Sequence, residues 1–124
     1  MARIRTVKPS FWGSPDTAKL SRDARLLVLA LISMADDDGR FLASPNAIIG
    51  YAYPNDDRVA ATQVRNWLAE ASDGDEPVHL YEVAGVRYGC LPNWHLHQKI
   101  DRYKASDLPA PLIECAPRLQ GGPR

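Results

Sequence analysis

The sequence has no surplus of either charge and few cysteines. Its 124 residues include 15 basic and 15 acidic side chains but only two cysteines. A neutral chain does not coat nucleic acid through charge alone, as polybasic and histone-like proteins do. The cysteines, Cys90 and Cys115, are widely separated and show no pairing pattern, so we expect an intracellular protein with reduced thiols.

Long apolar segments and catalytic motifs are also missing. The longest apolar run, residues 26–32, is far shorter than a membrane span, and residues 1–10 are too polar for a signal peptide. The sequence contains no glycine-rich phosphate loop, nucleophile elbow or zinc-protease motif. No nucleophile, base and orienting group can be named together. We therefore expect a cytoplasmic protein that is not an enzyme, with no catalytic residue, cofactor or membrane contact.

Residues that commonly bind metals do not have the spacing of a metal site. His79, His95, His97 and Cys90 match no structural zinc pattern. The acidic run of residues 36–38 lacks the ligand spacing of a calcium loop, and we interpret it as a solvated turn. We expect no bound metal, and Cys90 is predicted to be a buried small hydrophobic residue in a strand.

The charges that are present are segregated along the chain. Residues 1–25 hold six basic against two acidic side chains, whereas residues 26–57 hold one basic against five acidic. Residues 99–124 are basic again, with five against three. The basic ends could therefore contact phosphate, and the acidic middle could engage a basic protein partner. The alternative for the ends is that their charges only keep them solvated.

Capping residues and helical periodicity predict two helices in the first half of the chain. Ser21 can cap a helix over residues 22–35, and its apolar middle predicts the most buried element of the fold. Ser44 can cap a short helix over residues 45–52, with proline at the first helical position.

A third helix is predicted over about residues 58–72, capped by Asp56 or Asp57. Its apolar stripe consists of Ala60, Val64, Trp67, Leu68 and Ala71. The opposite face carries Arg58, Thr62, Arg65, Asn66 and Ala69, with Gln63 on its flank. The helix thus has one face that can dock on a core and one small, polar face that can contact a partner.

The remaining segments predict a hairpin flanked by irregular chain. Strands over residues 78–83 and 86–91 surround the turn Ala84-Gly85. Residues 9–15 are expected to be irregular with an aromatic anchor. Residues 93–100, rich in tryptophan, histidine and glutamine, are expected to fold back on the core.

The order of these elements predicts an α+β fold, a winged helix-turn-helix of three helices followed by a β-hairpin wing. We expect this domain to span residues 1–108 and a flexible, proline-rich tail to span residues 109–124. In such a domain the third helix lies in the DNA major groove, and the wing touches the backbone or minor groove. Arginine pairs with guanine there, and asparagine or glutamine with adenine. The alternative is that the polar face is an ordinary solvated helix surface.

The candidate DNA-binding residues fall into groups by position. Those on the third helix, expected to read bases, are Arg58, Thr62, Gln63, Arg65 and Asn66. The wing supplies Arg87 for a phosphate contact. Those at the basic ends are Arg3, Arg5 and Lys8 in an N-terminal arm, and Lys99, Arg102 and Lys104 in a second phosphate-contacting segment.

Four stretches of the sequence together resemble a known family. They are MARIRTVKPSFW at residues 1–12, LSRDARLL at 20–27, ADDDGR at 35–40 and LPNWHLHQKIDR at 91–102. This combination resembles the replication-initiator-like winged-helix proteins of phages and prophages, many from actinobacterial phages, also described as replisome-organiser N-terminal domains. The resemblance covers roughly residues 1–108. It implies DNA binding, at a phage origin for instance, and no catalytic residues. Longer relatives continue into a second domain, whereas this sequence stops soon after the first, so we expect a stand-alone regulator or a factor that binds a host protein.

Two functions are compatible with these features. The first is a sequence-specific protein that binds double-stranded DNA in phage replication initiation or transcription control, for which a homodimer would provide a second half-site. The second is a winged-helix module that engages a host or phage protein rather than DNA. Zero net charge and the lack of lysine on the third helix favour the second.

Overall fold

The structure, a computed structural model, describes residues 3–112. Six helices and a three-stranded antiparallel sheet make this part of the chain an α+β fold, as predicted. In chain order the elements are α1 (Ser10–Gly13), α2 (Pro15–Ala18), α3 (Arg22–Met34), β1 (Arg40–Leu42), α4 (Pro45–Ala52), α5 (Ala61–Ser72), β2 (His79–Val83), β3 (Val86–Cys90) and α6 (Trp94–His97).

Helix α3 contributes the centre of the core. The Ser21 side chain accepts a hydrogen bond from an amide in the first turn, so the helix is capped at the predicted residue. Leu27, Val28 and Leu31 are buried, but Leu26 is 54% exposed. The apolar middle of α3 is therefore buried along one face rather than all round, and part of its surface meets solvent.

Strand β1 is absent from the sequence prediction, because three residues are too few to show an alternating pattern. Both β1 and β2 pair antiparallel with β3, which gives the sheet order β1-β3-β2. Phe41 in β1 lies opposite Gly89, and a Cβ atom at Gly89 would lie only 2.3 Å from Cζ of the Phe41 ring. Glycine is therefore required where this ring crosses β3.

Helix α4 and the hairpin match their predictions. The Ser44 side chain accepts the amide of Ala47 and caps α4. Strands β2 and β3 meet at the predicted turn, where Ala84 and Gly85 both have positive φ angles, 52° and 81°. That conformation is typical of tight two-residue hairpins.

Helix α5 begins later than predicted. Asp56 does not cap it, because its Oδ1 instead accepts the amide of Arg58 at 2.9 Å within the preceding turn. The helix starts at Ala61, and Oε1 of Gln63 accepts the amide of Ala60 at 2.8 Å. A glutamine reaching back from the first turn therefore replaces the predicted aspartate cap.

The two ends of the domain are more ordered than predicted. Residues 10–18 form the short helices α1 and α2 rather than an irregular segment, and Ser14 caps α2. Residues 93–100 fold back on the core as predicted. Trp94 of α6 is 2% exposed, and its Nε1 donates to the Asp37 carbonyl oxygen at 3.0 Å.

The chain beyond α6 packs against the sheet as far as Pro109. Nη1 of Arg40 donates to the Leu108 carbonyl oxygen at 3.1 Å, and the Tyr81 hydroxyl donates to the Pro109 carbonyl oxygen at 2.7 Å. Most of the predicted flexible tail, residues 113–124, lies outside the described residues. The boundary at residue 108 stays a prediction.

Two further expectations concern Cys90 and membranes. Cys90 is fully buried in β3, as predicted, but it is disulfide-bonded, so the expectation of a reduced thiol at this residue is wrong. Within residues 3–112, none of the helices is long and apolar enough to cross a membrane.

Candidate nucleic-acid interface

Helix α5 separates a buried face from an exposed one. The buried side chains are Val64, Leu68 and Ala71. Trp67 is half-buried and packs on the Tyr53 ring, with 5.9 Å between ring centroids. The exposed side chains are Thr62, Arg65, Asn66 and Ala69. Because a helix repeats every 3.6 residues, these four form one continuous outer face of short or hydrogen-bonding side chains.

Gln63 and Arg58 flank this face in different ways. Gln63 is exposed, and its cap on Ala60 uses only the side-chain oxygen. Arg58 is exposed too, but it lies in the turn before α5 rather than on the helix. Its chain neighbours Asp56 and Asp57 are also exposed, so the charge at this end of the helix is not positive.

The hairpin presents one cation to solvent. Arg87, which is predicted to contact phosphate, is exposed on β3 close to the turn. It lies directly opposite Glu82 of β2, which is also exposed. Cross-strand neighbours of opposite charge attract each other, so Arg87 contributes less net positive charge than an isolated arginine would.

The predicted N-terminal arm is folded onto the protein. The Arg5 side chain is only 5% exposed, and its Nη2 donates to Oδ1 of Asp37 at 3.0 Å. Its guanidinium lies 5.1 Å from the centroid of the Trp94 ring. Arg3 lies 3.4 Å from Oδ2 of Asp37 and donates to the Asp101 carbonyl oxygen at 2.7 Å. Arg3 and Arg5 therefore do not form a free arm, and Arg5 is inaccessible to phosphate.

The remaining basic residues of the two ends are exposed. They are Lys8, Lys99, Arg102 and Lys104. Nζ of Lys8 donates to the Leu96 carbonyl oxygen at 2.7 Å, and Nζ of Lys104 lies 3.9 Å from the Asp107 carboxylate. These contacts lie within and between the two ends of the chain, and they do not involve α5.

The acidic turn (Asp36, Asp37 and Asp38) holds the two ends together, and its interpretation as a solvated turn is wrong. Asp37, with a side chain 5% exposed, accepts the Lys104 amide at 2.9 Å in addition to its two arginine partners. Asp38 accepts the Tyr103 hydroxyl at 2.8 Å, and Ser106 donates to both Asp36 and Asp38. The opposite charges of residues 1–25 and 26–57 are the one sequence signal that could have predicted this contact.

The contacts of the acidic turn shift the pKa values of Asp37 and of its neighbour Tyr103. Burial alone would raise the pKa of the Asp37 carboxyl, but the Lys104 amide, Arg5 and Arg3 together hold that pKa below its usual value. Burial and the hydrogen bond to the Asp38 carboxylate raise the pKa of the Tyr103 hydroxyl to about 12. Asp37 therefore stays ionised and Tyr103 stays protonated around neutral pH.

The histidines are not grouped with other ligands. Nδ1 of His79 lies 3.0 Å from Oδ1 of Asp75, and Nε2 of His95 lies 3.9 Å from Oδ1 of Asp38. Within the part of the chain that the structure describes, no three histidine, cysteine, aspartate or glutamate side chains are placed to share a metal ion.

The described chain is thus an α+β domain whose helix α5 offers an exposed polar face. Comparison with protein-family models, with curated proteins and with solved structures gives no significant match to this chain.

Proposed function

We propose that this protein binds double-stranded DNA in a sequence-specific manner, with α5 as the recognition helix of a winged helix. The observation that carries the proposal is the outer face of α5, where Thr62, Arg65 and Asn66 are exposed side by side on a helix anchored by its opposite face. Arginine and asparagine have the donor and acceptor geometry that matches guanine and adenine edges in the major groove.

The element order supports a winged-helix arrangement. Helices α3, α4 and α5 precede the β2–β3 hairpin, and α5 packs on both α3 and α4. Strand β1, between α3 and α4, joins the hairpin on the β3 side. The small sheet thereby fixes the base of the hairpin to the helical core, which leaves the turn at Ala84-Gly85 free to serve as the wing.

The residues on the outer face of α5 have different proposed roles. Arg65 would donate two hydrogen bonds to a guanine, and Asn66 would pair with an adjacent adenine. Thr62 and Ala69 are short enough to let the helix backbone approach the bases. The side-chain amide NH2 group of Gln63 can donate to an acceptor on a base, because the helix cap uses only the side-chain oxygen.

Weak nonspecific binding follows from the charge distribution. Arg5 is buried against Asp37, and Arg58 lies beside Asp56 and Asp57. If Arg58 and Arg87 each neutralise one phosphate, the logarithm of the binding constant falls with the logarithm of salt concentration with a slope of about −2. Useful affinity would then require base contacts or a second subunit bound to a second half-site.

The resemblance to replication-initiator-like phage proteins suggests a biological setting. In that setting the protein would regulate replication initiation or transcription in the cytoplasm of a bacterial host.

The proposal is tested by selection of duplexes from a random library, followed by affinity measurements on the enriched sequence at low salt. Arg65→Ala is expected to weaken binding by about 1–3 kcal/mol. Arg22→Ala is the matched control, because Arg22 is an exposed arginine on α3 and its loss changes net charge equally. Failure to enrich any sequence, or equal losses for the two variants, would contradict the assignment of α5.

A further inference from the structure

A second surface of the molecule is concave and unrelated to α5. A half-open cavity of about 610 Å³ lies between the N-terminal segment, one side of α3 and the chain around α6. Its apolar walls are Val7, Phe11, Val28, Ile32, Leu91 and Pro92. No residue of α5 or of the hairpin turn lines it. The volume is within the range of about 300–1,000 Å³ that is typical of ligand pockets in proteins.

The walls of this cavity are joined by hydrogen bonds. The Gln98 side chain is largely buried, donates to the Thr6 carbonyl oxygen at 2.8 Å and accepts the Thr6 amide at 3.0 Å. Lys8 adds its hydrogen bond to the Leu96 carbonyl oxygen. These contacts fasten the N-terminal segment to the α6 region, so the walls of the cavity are fixed by the fold itself.

The charges that face the cavity are unbalanced. Asp16 and Glu76 both line it and are half-buried. Within residues 3–112, neither carboxylate accepts a hydrogen bond from another side chain or forms an ion pair with a lysine or arginine, and Glu76 acts electrostatically on His97. Lys8 is the one lysine or arginine among the described lining residues, so two carboxylates face a single ammonium group. Burial and the nearby Lys8 ammonium lower the pKa of His97, so this wall residue is neutral at pH 7. A cationic group from outside would complement the site.

Apolar surface continues from the cavity onto the outside of the protein. Val7 is 43% exposed, Trp12 is 60% exposed and Leu96 is 57% exposed. The Trp12 ring contacts the Phe11 ring edge-on, with 5.0 Å between centroids, and Phe11 lines the cavity. If one side chain of an extended peptide filled the cavity, the adjacent residues of that peptide would cover Val7, Trp12 and Leu96.

We propose that this cavity docks a peptide segment of a partner protein that carries a bulky apolar side chain next to a lysine or arginine. The apolar side chain fills the space between Phe11 and Ile32, and the cation pairs with Asp16 or Glu76. This interaction is independent of DNA binding by α5, so the protein can link a DNA site to a second protein.

The test is a selection of random nonapeptides displayed on phage against the immobilised full-length protein, followed by calorimetry with the enriched peptide. Three variants define the site. Gly13→Leu adds a bulky side chain at a residue that lines the cavity, where a Cβ atom meets no other atom within 4 Å. Gly50→Leu is the matched control at an equally open glycine on α4, outside the cavity. Asp16→Asn/Glu76→Gln removes both charges while retaining shape.

The expected consensus has a bulky apolar residue beside a basic one. Gly13→Leu should weaken the enriched peptide at least tenfold, Gly50→Leu should leave its affinity unchanged, and the double amide variant should weaken it about threefold to tenfold. Enrichment of no peptide, an acidic consensus, or equal binding by the two glycine variants would overturn the proposal. We expect all three variants to bind duplex DNA as tightly as the wild type does, which separates this site from α5.

Discussion

Asp37→Asn should destabilise this protein more than any other exchange of an aspartate for asparagine in the acidic turn. The Asp37 carboxylate is buried and bonded to the Lys104 amide and to Arg5, whose own side chain is equally buried. Asparagine keeps the shape but removes the charge, and it turns a donor toward one of those donors. Removing one partner of a buried ion pair costs about 3–5 kcal/mol, because the remaining charge is buried without compensation.

That cost is large for a domain of this size. Unfolding free energies of single domains are about 5–15 kcal/mol, so the variant would lose a substantial part of its stability and its melting temperature should fall on the order of 10–25 °C. The assay is urea unfolding followed by circular dichroism and tryptophan fluorescence. Fluorescence reports on the same region, because the Trp94 indole is bonded to the Asp37 backbone.

The control and the pH dependence sharpen this test. Asp107→Asn removes an exposed carboxylate that lies 3.9 Å from Lys104 and should change stability by less than about 0.5 kcal/mol. Because the pKa of Asp37 is lowered in the folded state, its contribution is present above the unfolded value of about 3.9 and is lost as pH falls through the folded pKa. The gap between wild type and Asp37→Asn should therefore narrow in acid. Equal stabilities of Asp37→Asn and Asp107→Asn at pH 7 would show that the buried Asp37 carboxylate does not stabilise the fold.

Two further predictions concern the contact of Tyr103 with Asp38 and the close approach of Gly89 to the Phe41 ring. The folded-state pKa of Tyr103 is raised to about 12, so its contact with Asp38 stabilises the fold below the unfolded value of about 10 and is lost as pH rises toward 12. The difference in 295 nm absorbance between wild type and Tyr103→Phe should titrate near pH 12, and a midpoint near 10 would show that the contact is absent. Gly89→Ala should lower stability by about 1–3 kcal/mol, because its Cβ would overlap the Phe41 ring. Thermal unfolding of this variant, with and without Phe41→Leu, checks the cause, since the smaller side chain should restore part of the loss and an unchanged Tm would contradict the close approach.

Local signals located α3, α4 and the hairpin, but they missed the short helices α1, α2 and α6. Ser21 and Ser44 cap α3 and α4 as their positions indicate, and the Ala84-Gly85 turn joins β2 to β3. These features depend on neighbours within a few residues, so capping preferences and turn chemistry are sufficient to locate them. The same locality explains the error at α5, where two candidate caps were available and the Gln63 side chain provided a third.

Contacts between distant residues could not be predicted in this way. The aspartates of the acidic turn look like solvated charges when only their neighbours are considered, yet their partners lie near both ends of the domain. Which charges pair depends on where the folded chain places its two ends, and the hydrophobic periodicity of the sequence carries no information about that. For the same reason the predicted arm residues Arg3 and Arg5 are engaged internally, whereas Thr62, Arg65 and Asn66 are exposed where the helical pattern put them.

We infer that the outer face of α5 reads bases, and a base-preference measurement on Asn66→Ala is the sharpest test of that inference. Selection from the random duplex library is carried out in parallel for wild type and Asn66→Ala, and the enriched sequences are compared position by position. We predict that the variant loses an adenine preference at a single position of the site and keeps the others, because asparagine pairs with one adenine. An identical base preference at every position in the two proteins would contradict the claim.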